Sequence, residues 1–200
     1  MKILAAGDIH GDTLLARSLA SKAKKEKVDL VILCGDLTWF DEPTKGIIAP
    51  FKKNKQKVLI VPGNHDSFAT TDFLAEFYGI KNIHGYYVKY EDIAIFGAGG
   101  TNEVGPNFIS ERETFNALKK SFEKAKNSKK TIMVTHEHPA GTSMTFGGVI
   151  SGSKAVRKAI DQFKPDFVLC SHVHEAEGIE EKVGKTKVIN VGRKGKILEI

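Results

Sequence analysis

The chain reads as an α/β fold built on largely parallel strands. Two observations predict this. Short apolar, β-branched runs alternate with amphipathic stretches in the order strand, helix, strand, helix, strand through Val61, which signals right-handed crossovers between parallel neighbours. Further apolar runs follow to the end of the 200 residues with no internal repeat, low-complexity linker or composition break, so residues 1–200 read as a single domain.

Lys2–Ala6 is the first strand, and it runs into Gly7-Asp8-Ile9-His10-Gly11-Asp12. Thr13 to about Lys25 carries Leu14, Leu15, Leu19, Ala20 and Ala23 at helical spacing. Asp29–Leu33 is a second strand ending in Cys34-Gly35-Asp36, and Pro43–Lys53 suits a short helix with proline in its first turn. Val58–Val61 is too short and too branched for a helix and is closed by Pro62-Gly63, a buried strand meeting a sharp turn. Asp72–Phe77 reads as a helical turn. Tyr86–Tyr90 and Ile93–Gly97 read as an antiparallel pair across Glu91-Asp92. The Gly97–Gly100 stretch does not fit the dinucleotide fingerprint and reads as a lip. Glu111–Lys126 is a helix with Phe115, Leu118 and Phe122 on one face, and Thr131–Thr135 is a strand ending in His136. The loop from Glu137 to Gly152 is rich in Gly, Thr and Ser. Its Gly147–Lys154 part fails as a phosphate-binding P-loop because Lys follows Ser instead of Gly. Ser153 caps a helix to about Phe163, Asp166–Cys170 is a strand ending in Ser171-His172-Val173-His174, and Lys187–Val191 and Ile197–Ile200 are the final strands.

Composition narrows the class. Hydrophobic residues at 41% and charged residues at 27% are ordinary for a globular chain. Cys34 and Cys170 lie inside apolar runs and read as small buried thiols of a reducing compartment. No run approaches the ~18 apolar residues of a membrane span. The opening run meets Asp8 and His10 too soon to be a signal segment, so the expected location is cytoplasmic. The net charge of +6 sits in lysine-rich patches at 22–27, 52–57 and 119–130 that read as solvated helix faces. They lack the interleaved aromatics of a single-strand track, yet their field would draw anionic substrates.

The chemistry lies at the strand ends. Asp8 and His10, Asp36, Asn64, His136, and His172 with His174 follow five apolar strands. In open α/β sheets, sites form at carboxyl ends. The Asp-x-His and His-x-His spacings are expected to place paired side chains on one side of an extended segment. Mixed imidazole, carboxylate and amide donors suit divalent transition ions and not calcium. His84 reads as structural, and His138 as a contact to substrate or to a ligand.

Gly-Asp-Ile-His-Gly, Gly-Asp at 35–36, Gly-Asn-His-Asp, Thr-His-Glu-His-Pro and Ser-His-Val-His, in this order from residue 7 to 174, resemble the motifs of the calcineurin-like metallophosphoesterases, nearest to small single-domain prokaryotic, archaeal-type members. Ile189-Asn190-Val191-Gly192 also resembles the segment after the last motif. The resemblance implies a four-layer α-β-β-α sandwich of two facing mixed sheets and a dinuclear metal site. By motif position Asp8, His10 and His174 would hold one ion, Asn64, His136 and His172 the other, and Asp36 would bridge them. Manganese is the first choice of metal, with iron, zinc, nickel or cobalt as alternatives. The implied activity is hydrolysis of a phosphate ester, preferably a diester and with a nucleotide as one candidate, by in-line attack of a metal-bridging hydroxide, with His65 stabilising the transferring phosphoryl group or protonating the leaving alkoxide. A nuclease or monoesterase is the rival within the class, and a catalytically weak scaffold on the same fold the rival outside it. No membrane partner is expected, nucleic acid is less favoured, and a homo-oligomer stays open.

Two departures stand out. Many relatives carry an acidic residue three positions after the bridging Asp to orient the catalytic His, and here that position is Trp39. Asp66 or Asp41 is then expected to steer His65, or else His65 acts less as an acid, while Trp39 reads either as a stacking wall for a flat substrate group or as core packing. Ser171 stands where relatives usually have Gly, and ligation is expected to survive it. Asn102 in the lip and His138 complete the expected substrate contacts.

Overall fold

The computed structural model of the chain describes residues 1–102, 105–145 and 150–200. Residues 103–104 and 146–149, which include Gly147 at the start of the P-loop-like stretch and parts of both expected site-facing loops, lie outside the described residues.

The elements are β1 (Lys2–Ala6), α1 (Thr13–Lys25), β2 (Leu30–Cys34), α2 (Ala49–Lys53), β3 (Val58–Val61), α3 (Phe68–Tyr78), β4 (Lys81–Asn82), β5 (Tyr87–Tyr90), β6 (Ile93–Ala98), α4 (Glu111–Ala125), β7 (Lys130–Thr135), α5 (Lys154–Phe163), β8 (Phe167–Cys170), β9 (Glu180–Val183), β10 (Thr186–Asn190) and β11 (Lys196–Glu199). One sheet has the order β11-β1-β2-β3-β4 and the other β5-β6-β7-β8-β10-β9. Strands β1 to β4 are mutually parallel, with β11 antiparallel at the edge. Strands β6, β7, β8 and β10 are parallel, flanked by antiparallel β5 and β9.

Alternation along the strands builds the layers, because successive side chains point to opposite faces. Ile3, Ala5, Ile32, Cys34, Leu59 and Val61 of the first sheet pack against Ile95, Ile132, Val134, Leu169 and Ile189 of the second. The intervening Leu4, Ala6, Val31, Leu33 and Ile60 face Leu19, Ala20, Phe51 and Leu74 of α1, α2 and α3. On the far side Ala94, Phe96, Met133, Val168 and Val188 face Leu118, Val156 and Ile160 of α4 and α5. The result is α-β-β-α, as expected, with all parallel strands delivering their carboxyl ends to one rim.

Among the elements that differ from expectation, three have a local cause. The helix expected over Pro43–Lys53 forms only from Ala49, because Gly46 has φ of 86°, which a right-handed helix does not admit. The single turn expected at 72–77 is a helix from Phe68, capped by Ser67 Oγ accepting from the Thr70 N–H and closed by Gly79 in the left-handed region. The edge strand β9 has one buried residue, Val183, so it carries no apolar run to read.

Candidate metal centre

Asp8, Asp36, Asn64, His136 and His172 each follow a strand end within three residues, on β1, β2, β3, β7 and β8. Backbone bonds zip these loops together: Asp8 N donates to Gly35 O at 3.1 Å, His10 N to Asp36 O at 2.8 Å, and Ser171 N to His136 O at 2.9 Å. The backbone is not extended where the paired ligands sit, contrary to expectation. Asp8, His10, Asp36 and His172 have φ of 53°, 49°, 50° and 72°, and His174 opens a short 3-10 turn, His174–Ala176. Left-handed residues that are not glycine cost energy and cluster at functional sites. Here they fold each chain end back over the rim, and pairing comes from turns and not from strand period.

Potential ligand atoms of Asp8, His10 and His174 lie within 4.8 Å of one another, and so do those of Asp36, His136 and His172. Asp36 also groups with His10 and His65, so its carboxylate links the second cluster to His10 of the first. Asp36 Oδ2 is 3.4 Å from His136 Nε2 and 3.6 Å from His10 Nε2. Asn64 Oδ1 is 3.0 Å from His136 Nε2. His10 Nε2 and His174 Nε2 face each other at 3.2 Å, and His174 Nε2 is 3.9 Å from Asp8 Oδ1. The open side is a cleft of about 240 Å³ lined by His10, Asp36, Trp39, Asn64, His65, His172, His174 and Glu175.

Hydrogen bonds fix the donor atoms. His136 Nδ1–H donates to Cys34 O at 2.8 Å, so Nε2 is left to face Asp36 and Asn64. Ser171 Oγ donates to Cys34 O at 3.0 Å and reaches Asp8 Oδ1 at 3.2 Å, occupying the space that a β-carbon on Gly7 would need. The serine therefore braces a site it was expected merely to tolerate.

Burial disfavours charge on His136, but the Asp36 carboxylate, Asp8 and the Cys34 carbonyl more than reverse this and raise its pKa to about 10. His10, half buried, is lowered to about 4 by desolvation and by its histidine neighbours, against the pull of Asp36. Burial opposes ionisation of Asp36, yet His136 and the His65 N–H hold its carboxyl well below the usual range. Desolvation raises Asp8. Asp8 Oδ2 is buried with no hydrogen-bond partner among the described residues. With this orphaned oxygen, the grouping of Asp8 with His10 and His174, and of Asp36 with His136 and His172 beside the Asn64 amide oxygen, forms a donor set whose chemistry fits divalent transition cations.

His65 lies at the cleft, its Nε2 4.0 Å from Asp36 Oδ2. Neither expected carboxylate steers it. Asp66 is fully buried and accepts from Gly63 N, Leu37 N, Thr38 N and Thr38 Oγ1 at 2.6–3.0 Å, locking the Gly-Asn-His-Asp loop to the Asp36 loop. Asp41 accepts from Ser67 N at 2.7 Å. Trp39 does stack on a flat group, but that group is His65, with centroids 4.4 Å apart and planes 19° apart. At 54% exposure it is no core residue.

Two further expected contacts, Asn102 and His138, are not among the described residues that line the cleft. The Asn102 amide donates to Glu111 Oε1 at 3.2 Å, the carboxylate that also caps α5 through Lys154 N and Ala155 N. His138 is fully buried beneath Gly152. Asn107 and Glu175 escaped the sequence reading. Asn107 is buried and donates to Gly63 O at 3.1 Å, and Glu175 lines the cleft mouth. Only proximity to the motifs could have suggested Glu175, and nothing local marks Asn107.

Comparison with known proteins bears on this geometry. A family model described as calcineurin-like phosphoesterase matches residues 1–176. Among solved structures, the chain resembles a Thermus thermophilus protein, TT1561, at 19% identity and TM-score 0.76, over 98% of this chain and 97% of that one. It resembles a dimetal phosphatase from Danio rerio at 11% identity and TM-score 0.69, over 96% and 87% of the two chains. It also resembles a novel archaeal phosphodiesterase at 20% identity and TM-score 0.57, over 96% and 84%. No curated protein sequence matches the chain.

Proposed function

Because the chain belongs to the calcineurin-like phosphoesterases, hydrolases acting on phosphoric esters, we propose that its rim cluster holds two divalent transition ions and cleaves a phosphodiester. The observation that supports the reading is that Asp36 groups with His136 and His172 on one side and with His10 on the other, while His10 also groups with Asp8 and His174. On this reading Asp8, His10 and His174 hold one ion, and Asn64, His136 and His172 hold the other. Asp36 serves both. Manganese remains the first choice, since the donors mix nitrogen and oxygen without thiolate.

Such ions, when bound, supply Lewis acidity toward phosphate oxygens and lower the pKa of water toward ~7. The chain's own residues do the rest. The bond from His136 Nδ1 to the Cys34 carbonyl holds the tautomer that presents Nε2 inward. Asn64 contributes a neutral oxygen and so adds no charge that would oppose an anionic substrate. His65, on the open side of Asp36, delivers a proton to the departing alkoxide, a contribution of ~10²–10⁴ in rate for a well-placed acid. The net charge of +6 favours encounter with anionic esters.

The neighbours described as a phosphodiesterase and as a dimetal phosphatase leave both ester classes in play, so the test is a panel. Turnover of p-nitrophenyl phosphate, its bis-ester and cyclic nucleotides is measured with added manganese. Turnover fastest on diesters and abolished by Asp36→Asn supports the proposal. A preference for the monoester corrects the substrate class, and no turnover despite bound metal overturns the enzymatic reading. No helix among the described residues is long and apolar enough to cross a membrane, and we read the enzyme as acting on small esters in the cytoplasm.

A further inference from the structure

We propose that Trp39 is the positioning residue of His65, with an aromatic turn taking the place of a carboxylate partner. The proposal rests on the reading of His65 as proton donor given above.

The ring of His65 is held by faces and edges. His65 Nδ1 is buried without a hydrogen-bond partner among the described residues. Trp39 covers one face at 4.4 Å and 19°. Phe40 stands edge-on at 4.6 Å and 87°, and His10 edge-on at 4.9 Å and 85°. A stacked indole and two perpendicular rings leave the imidazole little freedom to rotate out of the cleft, and stacked or edge-on arrangements are the favoured aromatic geometries.

The turn that presents these rings is built for the purpose. Trp39 N donates to Glu42 O at 2.7 Å and Glu42 N to Trp39 O at 3.2 Å, closing a two-residue hairpin. Its central residues, Phe40 and Asp41, have φ of 53° and 71°, the signature of a type I′ turn, which favours Asn and Gly. A phenylalanine there is conformationally costly, and its ring is spent on His65. The turn is also tied to the histidine it frames: Asp41 N donates to His65 O at 3.1 Å. Trp39 and Phe40 are each 54% exposed, so their burial does little for the core. Their packing is directed at one imidazole.

The test compares Trp39→Leu and Trp39→Phe with His65→Ala on two esters: a p-nitrophenyl ester, whose leaving group needs no proton, and an alkyl ester, whose alkoxide does. Trp39→Leu should lower kcat on the alkyl ester about 10- to 100-fold, the cost of a misplaced catalytic group, with little change in KM and little effect on the p-nitrophenyl ester. Trp39→Phe, which keeps a flat face, should recover most of the loss. Adding Trp39→Leu to His65→Ala should cost nothing further, since both act through one ring. Independently of turnover, the ring-proton NMR signals of His65 in the metal-free protein should move downfield in Trp39→Leu as the indole ring current is lost. Equal losses on both esters, or additive losses in the double variant, overturn the positioning role. An unchanged alkyl-ester rate in His65→Ala would instead overturn the role of His65 itself.

Discussion

Gly63 lies so close to Asp36 that a β-carbon built on it would sit 1.9 Å from Asp36 Oδ1 and 2.3 Å from Asp36 N. The loop after β3 therefore presses its backbone directly against the Asp36 carboxylate, which groups with His10 and with His136 and His172, and Asn107 ties that loop down through the Gly63 carbonyl. Gly63→Ala should displace Asp36 or lift the loop. Either way the two halves of the site separate, and overpacking of this kind costs about 1–3 kcal/mol. Activity should fall at least tenfold more than the urea midpoint would suggest; a variant with native turnover would contradict this account of the contact.

Asp66 is where the loops after β2 and β3 are stitched together. Its two oxygens receive four donors, all of which suit a carboxylate and only half of which suit an amide. Asp66→Asn turns an N–H₂ toward donors in a buried place, at a cost of about 3 kcal/mol. The expected result is a lower denaturation midpoint together with weaker metal binding, read by urea titration and by metal content after dialysis.

On the two-ion reading, Asp36 should govern binding of both ions. Saturating manganese should raise the thermal midpoint of the native chain, since a ligand at a hundredfold its Kd adds about 2.7 kcal/mol. A chelator should abolish turnover, and resupplied metal should restore it. Asp36→Asn should lose most of the manganese-induced shift while remaining folded. A full shift in that variant would show that the shared carboxylate does not hold the metal.

How much of this was legible in the sequence depends on what each residue answers to. The sheet strands were legible because two apolar faces leave near-continuous apolar runs, as at Leu30–Cys34. The candidate donors that the structure brings together were legible because they follow closely on such runs. The backbone at Asp8 and His172 was not, since residue type alone does not announce positive φ outside glycine, and the expectation of an extended Asp-x-His segment failed there. Nor were the contacts of Asp66 and Trp39 readable. Whether an aspartate beside a histidine steers it or ties two loops together depends on contacts with residues about thirty positions away. The edge strand β9 was missed for the opposite reason, being too polar to be seen without the strand it pairs with.

His84 offers a test of the fold away from the centre. Its Nδ1 accepts the Gly99 N–H at 3.1 Å, and Phe68 packs edge-on against the ring at 4.6 Å, so the folded protein holds it neutral. Burial lowers its pKa to about 4, whereas in the unfolded chain it titrates near ~6.5. Between these values the unfolded chain binds more protons. The stabilisation is therefore complete above about pH 6.5 and drains as pH falls toward 4, by about 3 kcal/mol in all. His84→Asn keeps an acceptor for the Gly99 N–H but cannot titrate. It should be somewhat less stable at pH 7.5 through lost packing on Phe68. Between pH 6.5 and 4.5 its stability should fall less steeply than that of the native chain. Urea titrations of both proteins with chelator present subtract the contribution of the shared rim residues. Parallel curves would mean that His84 is not kept neutral by its burial against Phe68.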